Sequence, residues 1–149
     1  MQDTLKAVLV SGSAASILSS LVLLWRGRRD CGDAAGPLNG PSQWVWGRDA
    51  PYERGFSVRH TVVGYAIHHL ASVLWATAFE RARPPGSAPL PTIAAAAGTA
   101  ATACLVDYEL TPRRLEPGFE KRLSKRSLGM VYAAFSLGLA AAALLTRPR

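Results

Sequence analysis

Four stretches of this chain are apolar with no polar stripe: residues 7–25, 61–79, 90–106 and 128–146. Between them the sequence turns polar, basic and rich in proline and glycine. Each stretch runs about 17–20 residues, which as α-helix at roughly 1.5 Å per residue matches a hydrocarbon core roughly 30 Å thick. A helix of a water-soluble bundle keeps charged residues along one face. The first and last stretches hold no Asp, Glu, Lys or Arg, and Leu21, Val22, Leu23 and Leu24 run straight into Trp25. The pattern predicts an all-α fold, an integral membrane four-helix bundle forming one domain over residues 1–149. The third stretch is the weakest, because Ala94, Ala95, Ala96, Ala97 and Gly98 are only marginally hydrophobic. It would insert best against helices already in place, and a soluble four-helix bundle is the alternative it leaves open.

Small residues recur every four positions in three of the stretches: Gly12, Ser16 and Ser20; Ala94, Gly98 and Thr102; Ala134, Gly138 and Ala142. Such rows let helix backbones approach closely where lipid supplies no hydrophobic drive. They predict a compact bundle with a face left over for self-association, although an alanine-rich sequence also generates such rows by chance.

Charge sets the orientation. The formal net charge is +7, and the basic residues cluster between the spans. Arg26, Arg28, Arg29, Arg48, Arg54 and Arg59 fall in the first connection, and Arg113, Arg114, Lys121, Arg122, Lys125 and Arg126 in the third. The remaining segments carry only Lys6, Arg81, Arg83, Arg147 and Arg149. By the positive-inside rule the first and third connections face the cytoplasm and both termini face outward. Anionic lipid headgroups account for the basic surplus, and nucleic acid is not an expected partner. Positive charge after the first span, with no small-residue cleavage site, predicts a retained anchor in place of a signal peptide. Cys31 and Cys104 are too far apart for a metal motif and fall in different compartments of this topology, so no disulfide is expected.

The first connection, about 34 residues, is long for a helix linker. Pro37, Asn39, Gly40 and Pro41 break the chain ahead of Ser42, Gln43, Trp44, Val45, Trp46 and Gly47. Tryptophans two apart suit a segment at the headgroup level, apolar ring down and N–H wet. Trp44 and Trp46 are therefore expected to anchor at the interface, with Ser42 capping a short helical turn. A fold back over the cytoplasmic mouth of the bundle is the sharper alternative. The second connection, residues 80–91, carries Pro84, Pro85, Pro89 and Pro91 and predicts a tight outer turn. In the third, Pro117 suits the first turn of a helix. Phe119 and Leu123, four apart, would point one way and the basic residues the other, so Phe119 and Arg122 are expected in a short interfacial helix.

Candidate chemistry centres on the second span. His68 and His69 lie near its middle, where an ionisable group is costly and functional by default. On a helical wheel His60, Gly64, His68 and Trp75 fall within a quarter turn, widened by Ser72 and Phe79, while His69 points about 100° away beside Tyr65. Gly64 is the small position that would let another helix approach His68. Asp107 and Tyr108 on the third span reach the depth of His60, so a His60–Asp107 contact is feasible; the plainer reading pairs Asp107 with Arg113 or Arg114. His68 can relay protons, but as a metal or haem ligand it lacks partners on the other spans. The plain reading is a neutral imidazole hydrogen-bonded across the bundle to Ser19, Ser20, Thr99, Thr102 or Ser136. A nucleophile elbow, a phosphate loop and a zinc-protease helix are all missing, so neither an enzyme nor a cofactor is expected.

The segment from Leu38 to Gly47, then Arg59, His60, Thr61, Gly64, His68, His69, Trp75 and Ala76, joined by Asp107, Tyr108, Pro112, Arg113, Arg114, Leu115, Pro117, Gly118, Phe119 and Glu120, resembles a family of small multi-span bacterial inner-membrane proteins with no established activity. The resemblance covers most of the chain from the first connection onward and implies a bacterial plasma membrane. The expected role is structural or accessory, through packing with lipid, a second copy or a partner membrane protein. The alternative is a proton, metal or small-solute pathway centred on His68, with His60, His69 and Asp107 as helpers.

Overall fold

The computed structural model describes residues 2–84, 86 and 88–146. Pro85 of the second connection and Arg147 and Arg149 of the charge balance lie outside the described residues. Four helices dominate: α1 (Gln2–Asp30), α2 (Val63–Ala82), α3 (Pro89–Leu105) and α4 (Lys125–Leu145). A π-helical turn, Val58–Val62, leads into α2, and a second, Val106–Leu110, continues α3. Counted with these turns the four helices run 29, 25, 22 and 21 residues, each long and apolar enough to cross a membrane. No strand forms among the described residues.

Local chemistry sets the helix starts. Ser124 caps α4, its hydroxyl accepting from the Ser127 N–H at 3.3 Å. Ser57 does the same for the π turn, accepting from the His60 N–H at 3.1 Å. Pro89 opens α3, where its missing N–H costs nothing.

Helix α1 is the hub. It packs most extensively against α4 and next against α2, while α3 leans on α4, touches α2 far less and barely meets α1. The small-residue rows explain the closeness. A Cβ added to Gly138 of α4 would lie 2.5 Å from the Ala15 Cα, and one on Gly12 would lie 2.7 Å from the Val73 Cα. The α3 row is not used this way: Ala94, Gly98 and Thr102 are exposed, and a Cβ on Gly98 would meet nothing within 4 Å. Apolar side chains also cover the outside of the bundle, among them Leu9, Ile17 and Leu21 of α1, Leu70 and Leu74 of α2, and Leu137 of α4.

Two cores fill the interior. One, around Ala15, Phe79, Ala96, Phe135 and Leu139, holds the four helices together. The other, Leu23, Leu38, Phe119, Leu123 and Val131, draws on both long connections as well as on α1 and α4. The first connection contributes because it folds back: short turns at Gly36–Asn39, Gly40–Ser42, Gln43–Trp46 and Ala50–Tyr52 lie across the bundle end. The third connection corrects the sequence expectation. In place of an amphipathic helix it forms one tight turn, Phe119–Lys121, entered through Gly118 at φ +78°. That left-handed residue ends any helix begun at Pro117. It also lets the two connections cross at two glycines, because a Cβ on Gly40 would lie 2.7 Å from the Pro117 carbonyl oxygen. Phe119 is consequently 3% exposed and part of the core, not an interfacial anchor.

Replacing Gly138 by Val should lower the unfolding free energy in detergent by about 1–3 kcal/mol, because overpacking forces α1 and α4 apart. Gly98→Ala should stay within about 0.5 kcal/mol of the parent. Reversible denaturant titration followed by circular dichroism reads both.

Candidate functional site

The end covered by the connections is held by side chains that satisfy loop backbone. Asn39 is the centre. Its amide donates to the carbonyls of Glu53 at 3.0 Å and Gly55 at 3.1 Å, and its oxygen accepts from the Thr61 hydroxyl at 2.6 Å. Gln43 donates to the Glu116 carbonyl at 2.6 Å and Trp44 to that of Leu115 at 2.8 Å, tying the first connection to the third. Arg122 reaches back with Nε to the Pro51 carbonyl at 2.7 Å and with Nη2 to those of Tyr52 and Glu53. Trp46 donates to the Arg59 carbonyl at 2.8 Å, and the Arg59 guanidinium lies 4.5 Å over its ring. The result is a cap, the alternative arrangement of the first connection. Trp44 and Trp46 remain partly exposed at its rim. Ser42 does not cap a turn, since its hydroxyl donates to the Asn39 carbonyl at 2.7 Å.

Gly64 lets the cap seat. A Cβ there would lie 1.9 Å from the Leu38 carbonyl oxygen, so what approaches α2 at this position is a loop backbone and not a helix.

The histidines separate into three environments. His60 Nδ1 sits 3.2 Å from the Ser42 hydroxyl, whose single proton is already given to Asn39; the imidazole therefore donates. His68 Nε2 lies 2.9 Å from the Ser19 hydroxyl of α1, which donates at 2.7 Å to the Ala15 carbonyl, so here too the ring nitrogen donates. Ser19 is thus the cross-bundle partner among the hydroxyls considered. The His68 ring also meets the edge of Phe119, with centroids 5.5 Å apart. His69 turns toward Tyr65 at 5.8 Å.

Below the cap lies a cavity of about 60 Å³. His68, Ser72 and Trp75 of α2 form one wall, Asp107 of the π turn another, and Tyr132 and Phe135 of α4 a third. Trp44, Pro117 and Phe119 roof it. At roughly 10–15 Å³ per water the space takes about four to six waters. Asp107 does not pair with Arg113 or Arg114: its carboxylate accepts from the Tyr132 hydroxyl at 2.6 Å. Of the four residues singled out on the spans, the structure brings His68 and Asp107 to one cavity. His60 is spent in the cap, and His69 lies outside the lining.

Sequence reasoning passed over Tyr132, although it is the one aromatic hydroxyl in the fourth stretch, where a polar tip on an apolar body seeks a partner. It also missed both π turns, which have no side-chain signature. Among the described residues, no group of three or more His, Cys, Asp or Glu side chains comes together to hold a metal ion. Cys31 and Cys104 are free thiols.

Asn39→Ala would strand the Thr61 hydroxyl and two loop carbonyls, at a cost of about 1–3 kcal/mol. Amide hydrogen exchange across residues 36–56 should accelerate while α1 and α4 keep their protection. Equal acceleration in α4 would mean that the cap is not a separable unit. In comparisons with protein-family models, curated proteins and solved structures, nothing matches this chain.

Proposed function

We propose that the chain is a four-span protein of a bacterial plasma membrane, capped on its cytoplasmic side, and that the cavity between His68 and Asp107 binds a small solute. The membrane reading rests on length, hydropathy and the apolar exterior. Exposed leucines on all four helices are unusual in water but ordinary against lipid. The orientation rests on the basic residues, which gather at the capped end. Bacterial origin rests on the family resemblance alone.

The observation that carries the solute reading is the cavity itself. Most polar side chains at this end are consumed by loop carbonyls. His68 and Asp107 instead face a shared space from two helices that touch little, beneath a roof built from both connections. Buried polar groups around a space of this size act as an orienting set for a small guest. A proton pathway would use the same His68. A metal site has less support, because the ligands do not converge.

A second reading, an accessory role through helix packing, is favoured by α3. Its row of Ala94, Gly98 and Thr102 faces outward with open space over Gly98, which suits a partner membrane helix or a second copy. The two roles are compatible.

An alkaline phosphatase reporter fused after Arg149 should be active and one fused after Gly47 inactive; the reverse pattern would overturn the orientation. For the cavity, Ala71→Cys in a Cys31→Ser, Cys104→Ser background should react with methyl methanethiosulfonate in intact membranes. Ala140→Cys, in the helix core, should not. Equal inertness of both would remove the solute reading.

A further inference from the structure

The lining of the cavity carries more information than its size. Five of its side chains are aromatic, Trp44, Trp75, Phe119, Tyr132 and Phe135, drawn from a chain with only twelve Phe, Trp and Tyr in all. Its single acid is Asp107, and no Arg or Lys reaches the lining. Asp107 receives one hydrogen bond, from Tyr132, and among the described residues it makes no ion pair. Two cations of the third connection are committed elsewhere: Arg122 to loop carbonyls and Lys121 to Glu120 at 3.2 Å. A carboxylate in an apolar pocket without a cation is costly unless a counter-charge joins it. Aromatic faces supply the complementary surface, since their negative quadrupoles attract cations and do so most strongly when water is excluded. A metal ion would need several converging ligands, and among the described residues no group of three or more His, Cys, Asp or Glu comes together to hold one, whereas an alkylated ammonium needs only faces and one charge.

We propose that the cavity binds an organic cation, a quaternary or alkylated ammonium group, with Asp107 as the counter-charge and Trp75, Trp44 and Phe119 as the aromatic cage. This rests on the solute reading above and names its ligand class. His68, its Nε2 held by the Ser19 hydroxyl, forms part of the wall. A space of about four to six waters is on the scale of one trimethylammonium head. Such a head has two sources, a free small molecule or the choline end of a lipid.

The test uses the full chain in a maltoside detergent, with tryptophan fluorescence followed during titration. Tetramethylammonium chloride should give saturable quenching beyond that of equal sodium chloride. Choline should bind and its neutral isostere, 3,3-dimethylbutan-1-ol, should bind about tenfold more weakly or not at all. Asp107→Asn and Trp75→Leu should each weaken tetramethylammonium by about tenfold or more, while Leu137→Ala, on the outer surface of α4 and away from the lining, should leave it bound. Stronger binding of dihexanoylphosphatidylcholine than of choline assigns the lipid headgroup as the source; weaker binding assigns the free cation. No saturable binding of any cation, or equal binding of the neutral isostere, would overturn the proposal, and neither result depends on a variant folding. If Ala71→Cys is modified yet no cation binds, the cation assignment fails and the solute site stands. If Ala71→Cys is inert, both fall together.

Discussion

A loop laid across the end of an apolar bundle has to bring hydrogen-bond partners for its own backbone, because neither water nor lipid will supply them underneath. Asn39 meets that demand here. One buried amide uses both of its protons on the carbonyls of Glu53 and Gly55 and its oxygen on Thr61, so three segments of chain are fixed by a single side chain. Arg122 performs the same service from the opposite connection, for the carbonyls of residues 51–53. These bonds act together with the packing of Leu38 and Phe119 to hold the roof over the cavity.

The bundle beneath obeys a different economy. Helices surrounded by lipid gain little from burying apolar surface, so contact between them depends on how near the backbones come. Gly12 and Gly138 let α2 and α4 press on α1, and Gly64 lets the cap press on α2. Where no such glycine brings α2 and α3 together near the cap, aromatic side chains border a space instead of closing it. The cavity is thus the complement of the close contacts: it lies where the small residues stop.

Much of this was legible in the sequence. The four helices follow from the apolar stretches, and the structure extends each by a few residues, as with Asp30 at the end of α1 and Gln2 at its start. The inward face of α2 follows from the spacing of Gly64, Ser72 and Phe79, all buried. The connections were harder. Periodicity at Phe119 and Leu123 suggests a helix, and both are indeed buried, but the left-handed Gly118 and its crossing with Gly40 are tertiary events that a local pattern cannot report. Asp107 beside Arg113 and Arg114 reads as a helix-end charge. Only the π turn and the position of Tyr132, 25 residues later, turn it into the bundle. Asn39 reads as a chain breaker, since nothing local reveals that its partners lie 14 to 22 residues downstream.

The bonds that close the cap also impose an order of events during synthesis. Gln43 waits for the Glu116 carbonyl 73 residues later, Trp44 for Leu115 at 71, and the carbonyl of Pro51 for Arg122 at a separation of 71. While α2 and α3 are emerging from the ribosome, the first connection has no second half to clasp and its backbone must stay hydrated. Only when the third connection follows can the roof shut, and the α4 wall, with Tyr132 and Phe135, comes last of all. Anything housed inside can therefore enter before the protein is finished.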